Sequence, residues 1–308
     1  MPVKSKPNQL SSKLWRFQKS LRDYGRAVTG RKFAARGLTV YPDDAFLVSF
    51  PRSGNTWARF IVSNLLDPEH PVTFATVDSR VPGIYNTSDR VLRALPRPRV
   101  IKGHECFDPR YRKVIYIVRD PRDVAVSYYE FQLKRNVIPE GYSWEEFMPR
   151  FMESEFEPTT GSWGDHVLSW LVTRHGRKDL LLLRYEDMLK ETQEIAGKIA
   201  AFLGLKVRPE QVAQAVAQSS ADRMRRLEMQ QSRDWRETRR TRQDKPFVRK
   251  AMSGTWETVL PEASLAQIES AWGQVMRIVG YQLVTTSQPT SLPIPDAWLR
   301  SLQDRVLQ

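Results

Sequence analysis

The chain has few residues that form disulfides or bind zinc, since its 308 residues include one cysteine and four histidines. A single cysteine, Cys106, cannot form an intrachain disulfide, and so few cysteines and histidines exclude zinc clusters as an organising theme. No apolar run approaches the roughly 20 residues of a membrane-spanning helix, and the first residues lack the apolar core of a signal peptide. We therefore expect a cytoplasmic protein without a Cys/His metal centre.

Charge is strongly one-sided, because 48 lysines and arginines against 35 acidic residues give a net charge of +13. Such an excess often accompanies nucleic-acid binding. Here the arginines are spread over the whole chain, and no zinc-finger, RNP or basic-zipper pattern accompanies them. Nucleic acid is therefore not an expected partner. A solvated basic surface explains part of the excess, and a polyanionic cofactor, an acidic substrate or an anionic membrane surface explains the rest.

The G-x-x-x-x-G-K-[ST] loop of nucleoside triphosphate-binding proteins is also absent. In its place, an apolar run ends at Phe50 and leads into an amphipathic segment that reaches Leu66. A strand, a tight loop and a helix start in this order present backbone N–H groups to an anion. The sequence therefore predicts a site for a phosphate-like group, other than a conventional ATP or GTP site. The loop reads Pro51-Arg52-Ser53-Gly54-Asn55-Thr56-Trp57.

Short apolar runs alternate with amphipathic segments through the middle of the chain. This alternation predicts an α/β fold, a single domain with a central parallel β-sheet flanked by helices. In such a sheet the ligand lies at the carboxyl ends of the strands, where Arg52, His104 and Arg119 fall. The predicted strands cover residues 45–50, 99–102, 114–118 and 179–184, and the predicted helices cover 55–66, 123–134 and 191–203.

The chain divides into three predicted parts: a basic extension over residues 1–39, a main domain over 40–286 and a proline-punctuated C-terminal arm over 287–308. Within the extension, apolar residues recur every three or four positions over residues 10–28, with basic residues between them. This pattern predicts an amphipathic helix. The helix docks on the main domain, which is the favoured interpretation, or makes a peripheral contact with a membrane. The polar stretch 228–245 is either a solvated segment or a mobile basic lid.

Three further segments carry groups suited to oxyanions. Arg119 follows a strand and Ser127 lies on the next helix, so a guanidinium and a hydroxyl could hold a second phosphate. Asp123 between them could equally cap or begin the helix. Lys102 and His104 place a cation and a potential base on one face of a strand end. The last segment reads Arg249-Lys250-Ala251-Met252-Ser253-Gly254-Thr255-Trp256.

Together these segments resemble the motifs of sulfotransferases that use 3′-phosphoadenosine 5′-phosphosulfate (PAPS), particularly the cytosolic type. The family's motif Tyr-Pro-Lys-Ser-Gly-Thr-Thr-Trp is similar to residues 50–57, its second motif resembles 119–129, and Arg-Lys-Gly-x-x-Gly-x-Trp resembles 249–256. The resemblance covers roughly residues 40–280 in the family's order and implies the P-loop-like sulfotransferase fold. Further similarities lie at residues 102–104, 161–167 and 184–188.

The resemblance implies an enzyme that moves a sulfuryl group from PAPS to the hydroxyl of an alcohol, a phenol or a sugar. His104 would be the general base on that hydroxyl, and Lys102 and Arg52 would act at the transferred group. The 5′-phosphosulfate and the adenine would be held by Arg52, Ser53, Gly54, Asn55, Thr56 and Trp57. The 3′-phosphate and the nucleoside would be held by Arg119, Ser127, Tyr185, Ser219, Arg249, Lys250 and Ala251.

No metal is expected, because sulfuryl transfer depends on positioning and charge stabilisation, and a sulfuryl group carries less charge than a terminal phosphate. Fixed cations can then replace Mg²⁺. The chain departs from the family at Arg52, Asn55 and Ala251, which stand where lysine, threonine and glycine are usual. Alanine at the last position requires a negative φ or a strained turn. The family's C-terminal dimer motif is not recognisable, so the oligomeric state stays open.

Two other functions remain open from the sequence. A nucleotide kinase would need the missing lysine-bearing loop, and a non-catalytic binder of PAPS, its desulfonated product or nucleic acid would need no base beside the sulfate. The acceptor, a small molecule or a glycan, cannot be identified; its candidate walls are residues 81–85, 142–156 and 228–245. Four aromatic residues there either stack on a phenol or steroid or belong to the core: Tyr85, Tyr142, Trp144 and Phe147.

Overall fold

The computed structural model describes residues 33–174, 176–249, 251–286 and 289. The predicted amphipathic helix at 10–28, Lys250 and the C-terminal arm apart from Pro289 lie outside the described residues. The boundaries of the three predicted parts are therefore still predictions. Within the described part of the chain, no helix is long and apolar enough to cross a membrane.

Four parallel strands form the central sheet, in the order β2-β1-β3-β4. The strands are β1 (Ala45–Ser49), β2 (Val100–Gly103), β3 (Lys113–Val118) and β4 (Leu180–Arg184). From β1 the chain passes to β2 on one side and then to β3 on the other. The strand order therefore reverses at β1, and in such sheets this point opens a crevice at the carboxyl ends of the strands. The predicted α/β class and parallel sheet are confirmed.

Helices cover both faces of the sheet, as expected for parallel strands that are buried on both sides. The predicted helix at 55–66 has the predicted bounds, and the predicted strands are observed to within one or two residues. The helices are α1 (Asn55–Leu66), α2 (Val77–Arg80), α3 (Asp89–Arg93), α4 (Pro121–Lys134), α5 (Trp144–Met152), α6 (Trp163–Arg174), α7 (Tyr185–Lys190), α8 (Thr192–Leu203), α9 (Pro209–Ala217), α10 (Ala221–Gln231), α11 (Trp256–Val259) and α12 (Glu262–Ile278).

The two faces of the sheet support two separate cores, because neighbouring side chains along a strand point to opposite faces. Phe46, Val48 and Tyr116 belong to one core, which is rich in aromatic rings. Leu47 and Ile115 belong to the other, which is mainly aliphatic. Both cores are completed by helices, so the sheet is held as a fixed platform. Its strand ends therefore place the residues that follow them with little freedom.

The stretch 228–245 is packed against the domain, unlike the solvated segment or free lid expected from its composition. Trp235 is 2% exposed, and its ring packs against Phe74 and Phe247. The Glu228 carboxylate accepts hydrogen bonds from the backbone N–H groups of Phe247 and Val248. Lys134 adds a charged anchor by donating to two backbone carbonyls of the stretch. The stretch therefore forms a wall of the molecule, and its buried tryptophan is the local signal that opposed a solvated segment.

Candidate active site

One cavity of about 1280 Å³ opens at the carboxyl ends of the four strands. The residues that follow β1, β2, β3 and β4 all contribute to its lining, as the topology predicts. It brings together most of the residues that the sequence motifs singled out. These are Arg52, Gly54, Asn55, Thr56, Trp57, Lys102, His104, Arg119, Ser127, Tyr185, Arg249 and Ala251.

The loop between β1 and α1 leaves the start of the helix open to a ligand. Gly54 precedes α1 in a left-handed conformation with a φ of 95°, and no side chain caps the helix. The first N–H groups of α1 and the positive end of its dipole are therefore available to an anion. Thr56 and Trp57 line the cavity beside them.

In two small side chains of this loop, the hydrogen-bonding atoms are directed into the protein interior. The Asn55 amide nitrogen donates to the carbonyl of Leu47 at 3.4 Å and to the Ser49 hydroxyl at 3.2 Å. Ser53 is fully buried, does not line the cavity, and its hydroxyl has no partner among the described residues. Asn55 therefore ties the helix start to the end of β1, and the loop offers an anion mainly backbone donors.

Gly54 is required for both its conformation and the space above it. A Cβ at this position would lie 2.5 Å from the ring of Tyr185. We expect Gly54→Ala to destabilise the protein by at least about 2 kcal/mol, because it adds this collision to the cost of a left-handed alanine. The matched control is Gly204→Ala, which has a φ of 76° but nothing within 4 Å of its Cβ. Urea unfolding of both variants measures the difference, and equal losses would contradict the argument.

Three arginines converge on the cavity. Arg52 lies between the rings of Phe131 and Phe247, with its guanidinium 4.6 and 4.7 Å from the ring centroids. Burial, together with Arg249 and Arg119, lowers the pKa of Arg52 to about 9. Burial also lowers the pKa of Arg249, and the charge of Arg119 adds to this effect. Like charges held this close are stabilised by a multiply charged anion between them.

Arg119 is held by backbone groups from two other segments. It donates to the carbonyl of Arg52 at 3.2 Å and to the carbonyl of Met252 at 3.1 Å. Its guanidinium also stacks over the ring of Tyr185 at 4.3 Å. Its buried Nε has no partner among the described residues. Arg119 therefore fixes the position of the loop 51–57 (the anion loop) relative to the 249–256 segment. Its Nε–H group remains available as a hydrogen-bond donor to a ligand.

Asp123 does more than begin a helix. The cap of α4 is Asp120, whose side chain accepts from the backbone N–H of Arg122. The carboxylate of Asp123 accepts hydrogen bonds from the backbone N–H of Gly254 at 2.8 Å and from the Thr255 hydroxyl at 2.8 Å. A buried carboxylate held by several donors is a strong anchor. Asp123 therefore holds the 249–256 turn against α4, a role that the sequence left undecided.

The same turn is strained at Ala251, where the sequence predicts either a negative φ or a strained turn. Ala251 has a φ of 50°, in the region that favours glycine. The alternative of a negative φ is therefore wrong, and the turn stores a conformational cost of about 1–2 kcal/mol. Arg249 and Ala251 both line the cavity, so the strained turn borders the ligand space.

His104 is oriented as a base. Its Nδ1 lies 2.7 Å from the carbonyl oxygen of Ser49. Because a carbonyl can only accept, Nδ1 carries the proton, and the neutral ring keeps a free lone pair on Nε2. Burial and the nearby charge of Lys102 hold the pKa of His104 well below its ordinary value of about 6.5. The ring is therefore neutral at physiological pH and can accept a proton.

Lys102 lies opposite a carboxylate that the sequence did not connect to it. Burial lowers the pKa of Lys102, and the charge of Glu237 opposes that shift. The Lys102 ammonium lies 3.9 Å from the Glu237 carboxylate, which also accepts a hydrogen bond of 2.6 Å from the amide of Asn86. Glu237 belongs to the polar stretch 228–245, where dense charge gave no signal that one member is directed into the site.

A second histidine supports the first. His166 is fully buried. Its Nε2 lies 3.2 Å from the carbonyl oxygen of His104, and its Nδ1 lies 2.7 Å from the Tyr116 hydroxyl. Since the carbonyl only accepts, Nε2 is the donor and Nδ1 accepts from the tyrosine. Burial lowers the pKa of His166 to about 3, so the ring stays neutral.

Several predicted residues lie elsewhere. Ser219 is fully buried, accepts from the Asn64 amide and donates to the carbonyl of Ala215, whereas the neighbouring Ser220 lines the cavity. Among the four aromatic residues proposed for an acceptor wall, Tyr85 lines the cavity. The other three pack into or against the core: Tyr142, Trp144 and Phe147.

The described residues contain no group of three or more His, Cys, Asp or Glu side chains that could hold a metal ion. The fold and the site together define an α/β protein whose arginine-lined cavity, at the carboxyl edge of a parallel sheet, suits a phosphate-type anion. A buried neutral histidine and a lysine stand beside that site. This combination suits the transfer of an anionic group to a hydroxyl.

Comparison with known proteins assigns the family. A family model described as the sulfotransferase domain matches residues 42–280. Sulfotransferase 1B1 of Canis lupus familiaris is 31% identical over 232 residues, which cover 70% of this chain and 77% of the relative. The 3-beta-hydroxysteroid sulfotransferase of Cavia porcellus is 28% identical over 247 residues, which cover 77% and 85%. The chain belongs to the sulfotransferase family, which confirms the family and the enzyme class predicted from the sequence.

Solved structures of the same architecture agree at the level of the fold. A retinol dehydratase bound to androsterone and the inactive cofactor PAP superposes with a TM-score of 0.65 at 22% identity, over 83% of this chain and 86% of that chain. Mouse sulfotransferase SULT7A1 bound to PAP superposes with a TM-score of 0.63 at 24% identity, over 88% and 91%. The P-loop-like sulfotransferase fold predicted from the sequence is therefore confirmed.

Proposed function

We propose that this protein transfers the sulfuryl group of PAPS to the hydroxyl of a small acceptor, with His104 as the general base. The observation that carries the proposal is the placement of a neutral histidine with a free Nε2 in the same cavity as three converging arginines. A protein that only bound a nucleotide would not need the base. The kinase alternative is not supported, because the chain belongs to the sulfotransferase family.

The residues of the cavity fit such a donor. The mutual repulsion of Arg52, Arg119 and Arg249 matches a ligand with two separate phosphate-type groups. The open start of α1 would hold the 5′-phosphosulfate, and Arg119, Ser127 and Arg249 would hold the 3′-phosphate. PAP is present in the retinol dehydratase and SULT7A1 structures, which supports the same nucleotide here. The described contacts favour Ser220 over Ser219 as the serine nearest the nucleoside.

In the proposed reaction, His104 Nε2 accepts the proton of the acceptor hydroxyl while the acceptor oxygen forms a bond to sulfur. The bond between sulfur and the bridging oxygen of the 5′-phosphate breaks, so the products are the sulfate ester and PAP. Lys102 and the first N–H groups of α1 stabilise the negative charge on the transferred group and the leaving oxygen. His166 holds the backbone of His104 in place.

The fixed cations of the cavity supply the charge stabilisation that a metal supplies in many phosphoryl transfers. We propose that the reaction needs no metal, and turnover unchanged by EDTA would support this. A cytoplasmic location and a peripheral membrane contact through residues 10–28 are also proposals. Incubation with radiolabelled PAPS and a panel of phenols, alcohols and sugars tests the function directly, since radiolabelled products establish it and their absence across the panel argues against it.

The pH profile follows from the lowered pKa of His104. The base must be neutral, so on the acid side kcat/KM falls only when the pH drops through that pKa, which lies below 6.5. We expect a flat profile between pH 6.5 and 7.5. The basic limb should begin below 10.5, because burial lowers the pKa of Lys102 and its ammonium is needed. An acid limb centred above pH 6.5 would contradict the assignment of His104.

A further inference from the structure

Beside Lys102, the cavity contains a carboxylate that the proposed transfer reaction itself does not use. Glu237 lines the cavity, and its side chain is 29% exposed. Its Oε1 accepts from the Asn86 amide at 2.6 Å and lies 3.9 Å from the Lys102 ammonium. No hydrogen bond to its Oε2 is formed within the described residues. One acceptor oxygen of this carboxylate is therefore available to a ligand.

Contacts of the neighbouring Arg236 and of the segment around Asn86 hold Glu237 in place. The neighbouring Arg236 donates to the backbone carbonyl of Asn86 at 2.6 Å and lies over the ring of Phe33 at 4.4 Å. The segment that carries Asn86 is bridged to β2 at Lys102 through Gly83. The carboxylate and the reacting centre therefore belong to one rigid unit. A ligand that occupies the reacting centre meets Glu237 at a fixed place.

The carboxylate is ionised at neutral pH. Burial alone would raise the pKa of Glu237, but Lys102, the Asn86 amide and Arg59 together hold it below its ordinary value. The separation of 3.9 Å from the ammonium exceeds a direct hydrogen bond, so the ion pair does not satisfy both oxygens. An apolar acceptor would remove water from this oxygen without replacing its hydrogen bonds, which opposes binding.

Other side chains of the cavity are also polar. They include Glu157, Thr159, Thr160 and Thr241. Of the four aromatic residues expected at an acceptor wall, Tyr85 lines the cavity, and the other three lie in or against the core. On the basis of the proposed function, we propose that the acceptor carries a hydrogen-bond donor in addition to its reacting hydroxyl. This donor is a second hydroxyl or an ammonium group, and Glu237 Oε2 accepts its hydrogen bond. The favoured acceptors are thus diols, polyols or amino alcohols.

Matched acceptor pairs test this proposal. Catechol differs from phenol by one hydroxyl, and tyramine differs from 4-ethylphenol by one ammonium group. With PAPS as donor, we expect the wild type to favour the donor-bearing member of at least one pair by about 10-fold or more in kcat/KM. The variants are Glu237→Ala, Glu237→Gln and, as a control from the same stretch, the exposed Asp234→Asn.

The two Glu237 variants show whether Glu237 recognises a hydroxyl or an ammonium group on the acceptor. Alanine removes the acceptor oxygen, so either preference should fall to within about 3-fold of unity. Glutamine removes the charge but keeps an oxygen, so an ammonium preference should fall and a hydroxyl preference should largely persist. Asp234→Asn should keep the wild-type ratios.

Three results would overturn the proposal: no preference in the wild type, an equal loss for both members of each pair in Glu237→Ala, or no turnover of any probe while PAP binds. The second result would mean that Glu237 acts only by positioning Lys102. Titration of the same proteins with PAP reports separately on the nucleotide site. Wild type that fails to bind PAP would contradict the proposed function itself.

Discussion

Replacing His104 by alanine is expected to lower kcat by about 10²–10⁴-fold, the usual contribution of a positioned general base. The geometry supports this size of effect, because Nδ1 is committed to the carbonyl of Ser49 and only Nε2 can accept a proton. PAP affinity should change little, since His104 is not among the residues proposed to hold the nucleotide. Steady-state kinetics with a saturating acceptor, combined with PAP titration, separates the two effects.

A second variant controls for a loss of structure in His104→Ala. In His104→Asn the amide nitrogen can still donate to the Ser49 carbonyl, but the side chain has no base. We expect His104→Asn to fold as the wild type and to be as slow as the alanine variant. Near-normal kcat in the asparagine variant would contradict general-base catalysis by His104.

Replacing Arg119 by alanine is expected to weaken PAP binding by at least about 100-fold, because charged hydrogen bonds each contribute roughly 1.5–3 kcal/mol. Arg119 also joins the anion loop to the 249–256 segment through its bonds to Arg52 and Met252. Its removal therefore takes away a cation and loosens two walls of the site. Isothermal titration with PAP measures the loss.

Two further variants serve as controls for the effect of Arg119→Ala on PAP affinity. Arg119→Lys keeps the charge but loses the planar fork, so we expect an intermediate affinity. Arg240→Ala removes an exposed arginine of the polar stretch and should leave PAP affinity within about 2-fold at moderate salt, where distant surface charges are screened. Equal losses at Arg119 and Arg240 would show that the general positive charge of the chain, rather than this site, binds the nucleotide.

Local sequence patterns were sufficient for the sheet and the anion loop. Apolar runs a few residues long specify buried parallel strands, and a strand followed by a small-residue loop specifies an open helix start. Parallel topology then brings the residues after each strand to one edge, which is why the sequence predicts that Arg52, His104 and Arg119 lie together. These features depend on neighbours in sequence.

The remaining parts of the site depend on partners far away in sequence. Glu237 meets Asn86 across 151 positions, and Asp123 meets Gly254 across 131. No local pattern distinguishes Glu237 from the other charged residues of its stretch. The choice between Ser219 and Ser220 depends on which of two adjacent side chains faces the cavity at the turn before α10, which a short Ser-Ser motif cannot specify.

We propose above that the cavity binds the PAPS nucleotide through its arginines without a metal. Isothermal titration with PAP, with and without Mg²⁺, tests it on the wild type, Arg249→Ala and His104→Ala. We expect metal-independent binding in the wild type, strong weakening in Arg249→Ala and retention in His104→Ala. Absence of binding in the wild type, or binding that requires Mg²⁺, would contradict the claim.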